Sequence, residues 1–181
     1  MKFEYEFEGL SLKVLDETFA KSILAFYYDN KQDFDRFEAD KPANYYTLEY
    51  IKSVVRAEHN AFINGVYARF FLFSNDLPGK ILGTISFSNI NHGSHYCHVG
   101  YKIDKNYRNL GLATIMLKNM LPVMAKEKSM HRIEAYVHPD NQPSLKLVNK
   151  LGFIPEGTAH AYAKINGIWT DHLRYVYISD I

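Results

Sequence analysis

The chain has a single cysteine, Cys97, among its 181 residues. It therefore has no internal disulfide, and that scarcity fits a reducing compartment. Neither sign of charge is in excess: 21 Lys and Arg against 20 Asp and Glu leave a formal net charge of +1. No global basic field exists to support nucleic-acid binding. No window approaches the roughly 18 apolar residues of a membrane span. The opening run Met1-Lys2-Phe3-Glu4-Tyr5-Glu6 sets acids where a secretory signal needs an apolar stretch. The three-glycine dinucleotide fingerprint and the Gly-Lys-Ser/Thr of a phosphate loop are both missing. No cysteine pair supports zinc, and His92, His95 and His98 cross a turn into a strand, so they do not share one face; no metal is expected. There is no repeat, low-complexity tract or linker. What is present is 47% hydrophobic and 23% charged residues, a globular balance. The expectation is one cytoplasmic domain over residues 1–181 with an α/β core.

Periodicity organises the chain. Residues 10–15 read as a first strand, and 17–28 and 45–60 as two helices joined by the charged segment 29–41. Residues 68–73 and 81–89 alternate as an antiparallel pair through Asn75-Asp76-Leu77-Pro78-Gly79, a strong turn signal. Cys97, Val99, Tyr101 and Ile103 recur at period two, which predicts a strand over 96–103. Residues 132–137 alternate likewise. A last pair, 159–165 and 172–177, is bridged by Asn166-Gly167, a hairpin signal.

The most informative stretch is Tyr107-Arg108-Asn109-Leu110-Gly111-Leu112-Ala113-Thr114. Beyond it Ala113, Met116, Leu117, Met120, Leu121 and Met124 recur at helical spacing. Pro122 should bend that helix or end its regular hydrogen bonding. A strand, a tight loop and a helix start form an anion cradle, because the first amides of a helix are unpaired and the dipole adds positive charge. Gly111 admits a phosphate where a side chain would block it, and Arg108 supplies a cation. The segment predicts a pyrophosphate site; an ordinary strand-to-helix turn is the competing reading.

A second helix opens at Asn141-Gln142-Pro143-Ser144 and closes at Gly152-Phe153. Together, Gly100-Tyr101, Arg108-x-x-Gly111-x-Ala113, Asn141-x-x-Ser144, Lys150-Leu151-Gly152-Phe153 with Glu156-Gly157, and Asn166-Gly167 with Asp171 stand in order over residues 80–177. This half resembles the GCN5-related N-acetyltransferase (GNAT) superfamily, in its RimJ/RimL-type branch. The resemblance implies a mixed α/β (α+β) fold, with a mostly antiparallel central sheet, splayed fourth and fifth strands and helices on both faces. It implies that acetyl-CoA is bound by residues 80–177, while residues 1–75 hold acceptor specificity.

The resemblance further implies direct attack of an amine on the thioester in a ternary complex. Backbone of Tyr101, Lys102 and Ile103 would pair with pantetheine, and fixed strand-edge donors would suit the developing oxyanion. Arg108, Asn109, Leu110, Gly111, Leu112, Ala113 and Thr114 would hold the diphosphate. Asn141 would meet a pantetheine amide or serve only as a helix cap. Many relatives protonate the leaving thiolate with a tyrosine whose position here is Val148; the branch instead carries a serine, here Ser144. His98 stands where some members have a glutamate base, with Glu134 as the alternative and Tyr136 able to position a water. A neutral imidazole can accept a proton near neutral pH. Cys97 faces the other side of its strand and reads as core.

Freeing an α-amine of pKa roughly 8 costs about 1.4 kcal/mol at neutral pH, against about 4.6 kcal/mol for a lysine. The absence of a strong base therefore tilts the acceptor toward a protein or peptide N-terminus. Alternatives are a small amine (a polyamine, antibiotic or amino acid derivative) and a catalytically weak acyl-CoA-binding regulatory module. Expected partners are acetyl-CoA, the acceptor and, as an open case, a second copy of the chain. Tyr27, Tyr28, Phe34, Phe37, Tyr45 and Tyr46, with Asp29, Asp33, Asp35, Glu38 and Asp40 among them, could form an acceptor wall; core packing and a solvated loop are the plainer reading.

Overall fold

The structure is a computed structural model describing residues 1–180. Its centre is an eight-stranded sheet of order β1-β2-β3-β4-β5-β6-β8-β7. The strands are β1 (Glu4–Phe7), β2 (Leu10–Lys13), β3 (Ala68–Ser74), β4 (Gly83–Asn91), β5 (Tyr96–Ile103), β6 (Arg132–Val137), β7 (Ile154–Ile165) and β8 (Ile168–Ile178). Among the described residues only β5 and β6 pair in parallel. The mixed, mostly antiparallel sheet is the expected fold. One strand was not anticipated: β1, which forms a hairpin with β2 through Glu8-Gly9. Both turn residues have positive φ, as the twist of a two-residue hairpin requires. Tyr5 and Phe7 alternating with Glu4, Glu6 and Glu8 carried that signal. The expected fourth and fifth strands are consequently β5 and β6.

Helices cover both faces. Alternation along β3 sends Ala68, Phe70 and Leu72 into one core and Phe71 into another. On the first face lie α4 (Leu112–Lys128) and α5 (Gln142–Lys150), with Met116, Leu117, Met120 and Met124 fully buried. Each such side chain contributes about 1.5–3 kcal/mol by leaving water. On the second face α1 (Ala20–Asp29), the short α2 (Lys31–Asp35) and α3 (Leu48–Ile63) bury Ile23, Phe26, Phe34, Ile51 and Val55.

Three local expectations change. Pro122 does not end its helix: α4 runs on through it to Lys128. The absent N–H removes one bond, to Lys118, while the buried stripe on both sides keeps the helix docked. The third helix starts at Leu48 rather than near Tyr45, because Thr47 caps it by accepting a hydrogen bond from the Tyr50 amide. Segment 29–41 is not a solvated loop. It holds α2, and its carboxylates are engaged: Asp33 with Arg108, Asp35 and Glu38 with Lys41, and Asp40 with the Gly167 amide at the β7–β8 turn.

Candidate active site

β5 and β6 are in register only at Tyr96↔Arg132, Cys97↔Ile133 and His98↔Glu134. Beyond these pairs the strands part, and Val99 to Ile103 on one and Ala135 to Val137 on the other line a cavity of about 760 Å3. It reaches across the sheet. One end is walled by the loop 107–114 and the start of α5, the other by Phe34, Phe37, Glu38 and Arg69.

At the first end, α4 begins at Leu112 with Gly111 as N-cap at φ 76°, ψ 0°, and no side chain caps the helix. Asn109 is also left-handed, at φ 63°. A Cβ on Gly111 would meet no protein atom within 4 Å, so the glycine answers a backbone demand and leaves the approach to the amides open. Arg108, Asn109, Gly111, Leu112, Ala113 and Thr114 line the cavity; Leu110 does not, and its side chain is exposed. Arg108 spans the mouth to Asp33 at 2.7 Å. These residues fit a phosphate ligand by chemistry and by room: a left-handed turn, an uncapped helix start and an adjacent guanidinium.

At the start of α5, the Asn141 side-chain oxygen accepts from the Ser144 amide at 3.3 Å, so Asn141 is a cap as well as a lining residue. Ser144 Oγ stands 2.6 Å from Tyr101 Oη, and both side chains face the cavity. Burial pushes the Tyr101 phenol up to about 12, against the pull of the Ser144 hydrogen bond. One turn on, Val148 is fully buried in the core.

Beyond the sheet, β5 presents Lys102, whose ammonium bonds Glu38 at 2.7 Å and lies over the rings of Tyr27 and Phe34. Burial lowers its pKa while Glu38 opposes that fall. Glu38 also meets Lys41 at 3.1 Å. Arg69 of β3 lines the same end; its Nε donates to both Glu58 oxygens at 3.0 Å, and its other nitrogens donate to Tyr27 and Tyr67. Sequence reasoning missed Arg69. A lone cation between Ala68 and Phe70 in an apolar strand was its signal.

The structure brings His98 and Glu134 together, but neither lines the cavity. His98 Nε2 is 3.7 Å from a Glu134 oxygen, and its Nδ1 is 3.2 Å from Asn89 Nδ2. Burial lowers the His98 pKa although the Glu134 carboxylate raises it. Glu134 accepts from Arg132 at 2.6 Å and from Tyr136 at 2.7 Å. Burial raises its pKa, but Arg132, Tyr136 and His98 outweigh that and hold it below the usual carboxylate value. Tyr136 does line the cavity, and its ring lies 5.1 Å from that of His98. Cys97 is fully buried, and burial pushes its thiol up to about 12. His92 and His95 bond the carbonyls of Gly65 and Ser129. Among the described residues no group of three His, Cys, Asp or Glu side chains is placed to hold a metal, and no helix is long and apolar enough to cross a membrane.

Known proteins are similar to this chain in sequence and in fold. The alanine N-acetyltransferase of ribosomal protein uS5 from Escherichia coli (strain K12) is 38% identical over 105 residues, covering 58% of this chain and 54% of that one. A ribosomal-protein-S5-alanine acetyltransferase from Vibrio fischeri superposes with a TM-score of 0.91 at 29% identity, covering 99% and 98% of the two chains. RimL, a ribosomal L7/L12 alpha-N-protein acetyltransferase solved in complex with coenzyme A, shares the fold with a TM-score of 0.87 at 20% identity, covering 96% of each chain. The model of the acetyltransferase (GNAT) domain matches residues 15–154, most of the chain. With its parted strands, glycine-turned helix start and this match, the chain belongs to the GNAT family of N-acetyltransferases.

Proposed function

We propose that this protein transfers the acetyl group of acetyl-CoA to a protein or peptide N-terminal α-amine. The observation that carries the reading is the cavity running from the uncapped start of α4, through the gap between β5 and β6, to the Glu38–Arg69 end. An anionic cofactor and an amine can thereby meet from opposite sides of the sheet. The relatives named for acting on the alanine of a ribosomal protein support an α-amine over a lysine.

Roles follow from position. The amides of residues 109–114 and Arg108 hold the diphosphate, with Arg108 shifting part of its contact away from Asp33. Asn141 caps α5 with its oxygen and offers its Nδ2 donors to pantetheine. The edge of Gly100–Ile103 that faces the gap to β6, its other edge being paired with β4, receives the arm and steadies the thioester oxygen as it gains charge. Ser144 Oγ donates to the sulfur. His98 is the base, reached from the amine through a water held by Tyr136; Glu134, already claimed by Arg132 and Tyr136, stands 3.7 Å from its Nε2 and balances its charge once it is protonated.

Thiol release from acetyl-CoA, measured over peptides with free and blocked N-termini, lysine side-chain amines and small amines, tests this. Turnover confined to free α-amines is expected, and His98→Gln should cut turnover at neutral pH more than CoA affinity. Preference for a polyamine or amino acid derivative would move the substrate class, and CoA binding with no turnover on any amine would reject the enzymatic reading.

A further inference from the structure

We infer that Tyr101 is a positioning residue for the leaving group: it donates its phenolic hydrogen to Ser144 Oγ and so aims the serine's only hydrogen at the sulfur. This rests on the acetyl-CoA reading above. Three features carry it. The two oxygens are 2.6 Å apart and come from opposite walls of the cavity, β5 and the first turn of α5. Of the α5 residues that line the cavity, Pro143, Ser144 and Leu147, the serine alone carries a side-chain proton donor. The Ser144 amide is already bonded to Asn141, which pins the residue while its hydroxyl still rotates.

A free serine hydroxyl turns among several acceptors, including the carbonyls of its own helix. Tyr101 removes that freedom. Either oxygen of the pair can donate; a phenol is a stronger acid than an alkanol, which favours the tyrosine as donor and the serine oxygen as acceptor once the sulfur takes up the serine hydrogen. The serine hydrogen is then left for the third partner. Because hydrogen bonds in series polarise one another, the bond to sulfur strengthens as charge gathers there.

The pair does not hand its proton over. A phenol held near 12 is far weaker as an acid than a thiol of pKa about 8.5, so transfer to the thiolate runs uphill. In the step, the amine lone pair forms the C–N bond and the nitrogen gives up its proton to the base. The C–S bond breaks with its electron pair staying on sulfur, and the thiolate departs hydrogen-bonded to Ser144 Oγ–H. It takes its proton from water, and Tyr101 and Ser144 end the cycle as they began.

The test is a cycle of Tyr101→Phe, Ser144→Ala and the double variant, reading kcat and KM for the acceptor and Kd for CoA. Tyr101→Phe keeps the ring and its packing. It should lower kcat about tenfold, within the range of a single polar contact to a developing charge, with CoA Kd and acceptor KM changed less than about threefold. Ser144→Ala should lower kcat at least as much, and the double variant no further than Ser144→Ala alone, because Tyr101 acts only through the serine. Wild-type kcat in Tyr101→Phe, additive losses in the double variant, or a loss confined to CoA Kd each overturn the positioning role while leaving the acetyltransferase reading intact. An unaltered protein that binds no CoA, or binds it without turnover, sinks that reading and this one together.

Discussion

Replacing Gly111 by alanine separates the two demands made on the loop 107–114. The residue sits at φ 76°, ψ 0°, where an L side chain costs about 1–2 kcal/mol. Alanine also restricts the unfolded chain, which returns roughly 0.4–1 kcal/mol. The net loss is about 1 kcal/mol, or a fall of about 2–4 °C in Tm for a chain of this size. No clash adds to it, since nothing in the protein lies within 4 Å of the new Cβ. Gly111 lines the cavity, and on the proposed reading its new Cβ would stand where a diphosphate has to approach the amides. Loss of one charge-assisted hydrogen bond is worth about 1.5–3 kcal/mol, which weakens CoA binding by about tenfold to a hundredfold. Gly152 is the control: it has φ 78° and equal room for a Cβ, but lies off the cavity. Gly152→Ala should lower Tm by a similar amount and leave CoA affinity alone. Urea or thermal unfolding with calorimetric CoA titration reads both quantities. If Gly111→Ala binds CoA as tightly as the unaltered protein, the amides after Arg108 do not hold the diphosphate, and the site reading fails.

Other outcomes follow from the same geometry. Arg69→Met leaves the partly buried Glu58 carboxylate without its cation, held only by the Tyr67 hydroxyl, and takes the partner from the Tyr27 hydroxyl; it should cost about 3 kcal/mol in urea unfolding, while Arg69→Met with Glu58→Gln recovers part of that loss. Glu38→Gln removes the carboxylate from Lys102 and leaves Lys41 to Asp35, so acceptor KM should rise severalfold with CoA Kd unchanged; a change in CoA Kd alone would place Glu38 on the wrong side of the sheet. His98 and His172 both have pKa values lowered by burial. The unfolded chain therefore binds their protons first, and stability present above about pH 6.5 is lost as pH falls through their folded values. The urea midpoint should hold from pH 8 to 7 and decline below 6.5, less steeply in His172→Phe; a midpoint that rises on that descent would contradict the assignment. Cys97 should resist thiol reagents in the folded protein and react only on unfolding, given its burial and raised pKa.

Features whose physics is local were legible in the residues. The strands 96–103 and 132–137 and the methionine-rich stripe of α4 rest on spacing, and Asn141, Gly111, Gly152 and Asn166-Gly167 rest on the backbone conformations those residue types favour. Three things turned on partners distant in the chain. The hairpin of β1 is stabilised by pairing with β2 and then β3, so its short run of alternating acids and aromatics did not stand out. Pro122 is carried by packing on both sides. The acids of segment 29–41 looked solvated because their partners Arg108, Lys102 and Gly167 lie far along the chain.

By itself the order of residues determined most of the strands and helices, β1 and α2 excepted, and marked the loop 107–114 as the place to look for a phosphate site. Those outcomes follow from backbone preference and hydrophobic period, which act over a few residues. Only the tertiary structure decided that β5 and β6 part after His98, that Tyr101 reaches Ser144, and that Arg69 and Lys102 stand at the far end of the same cavity. Each depends on the sheet's register and twist, which bring together residues that no spacing along the chain relates.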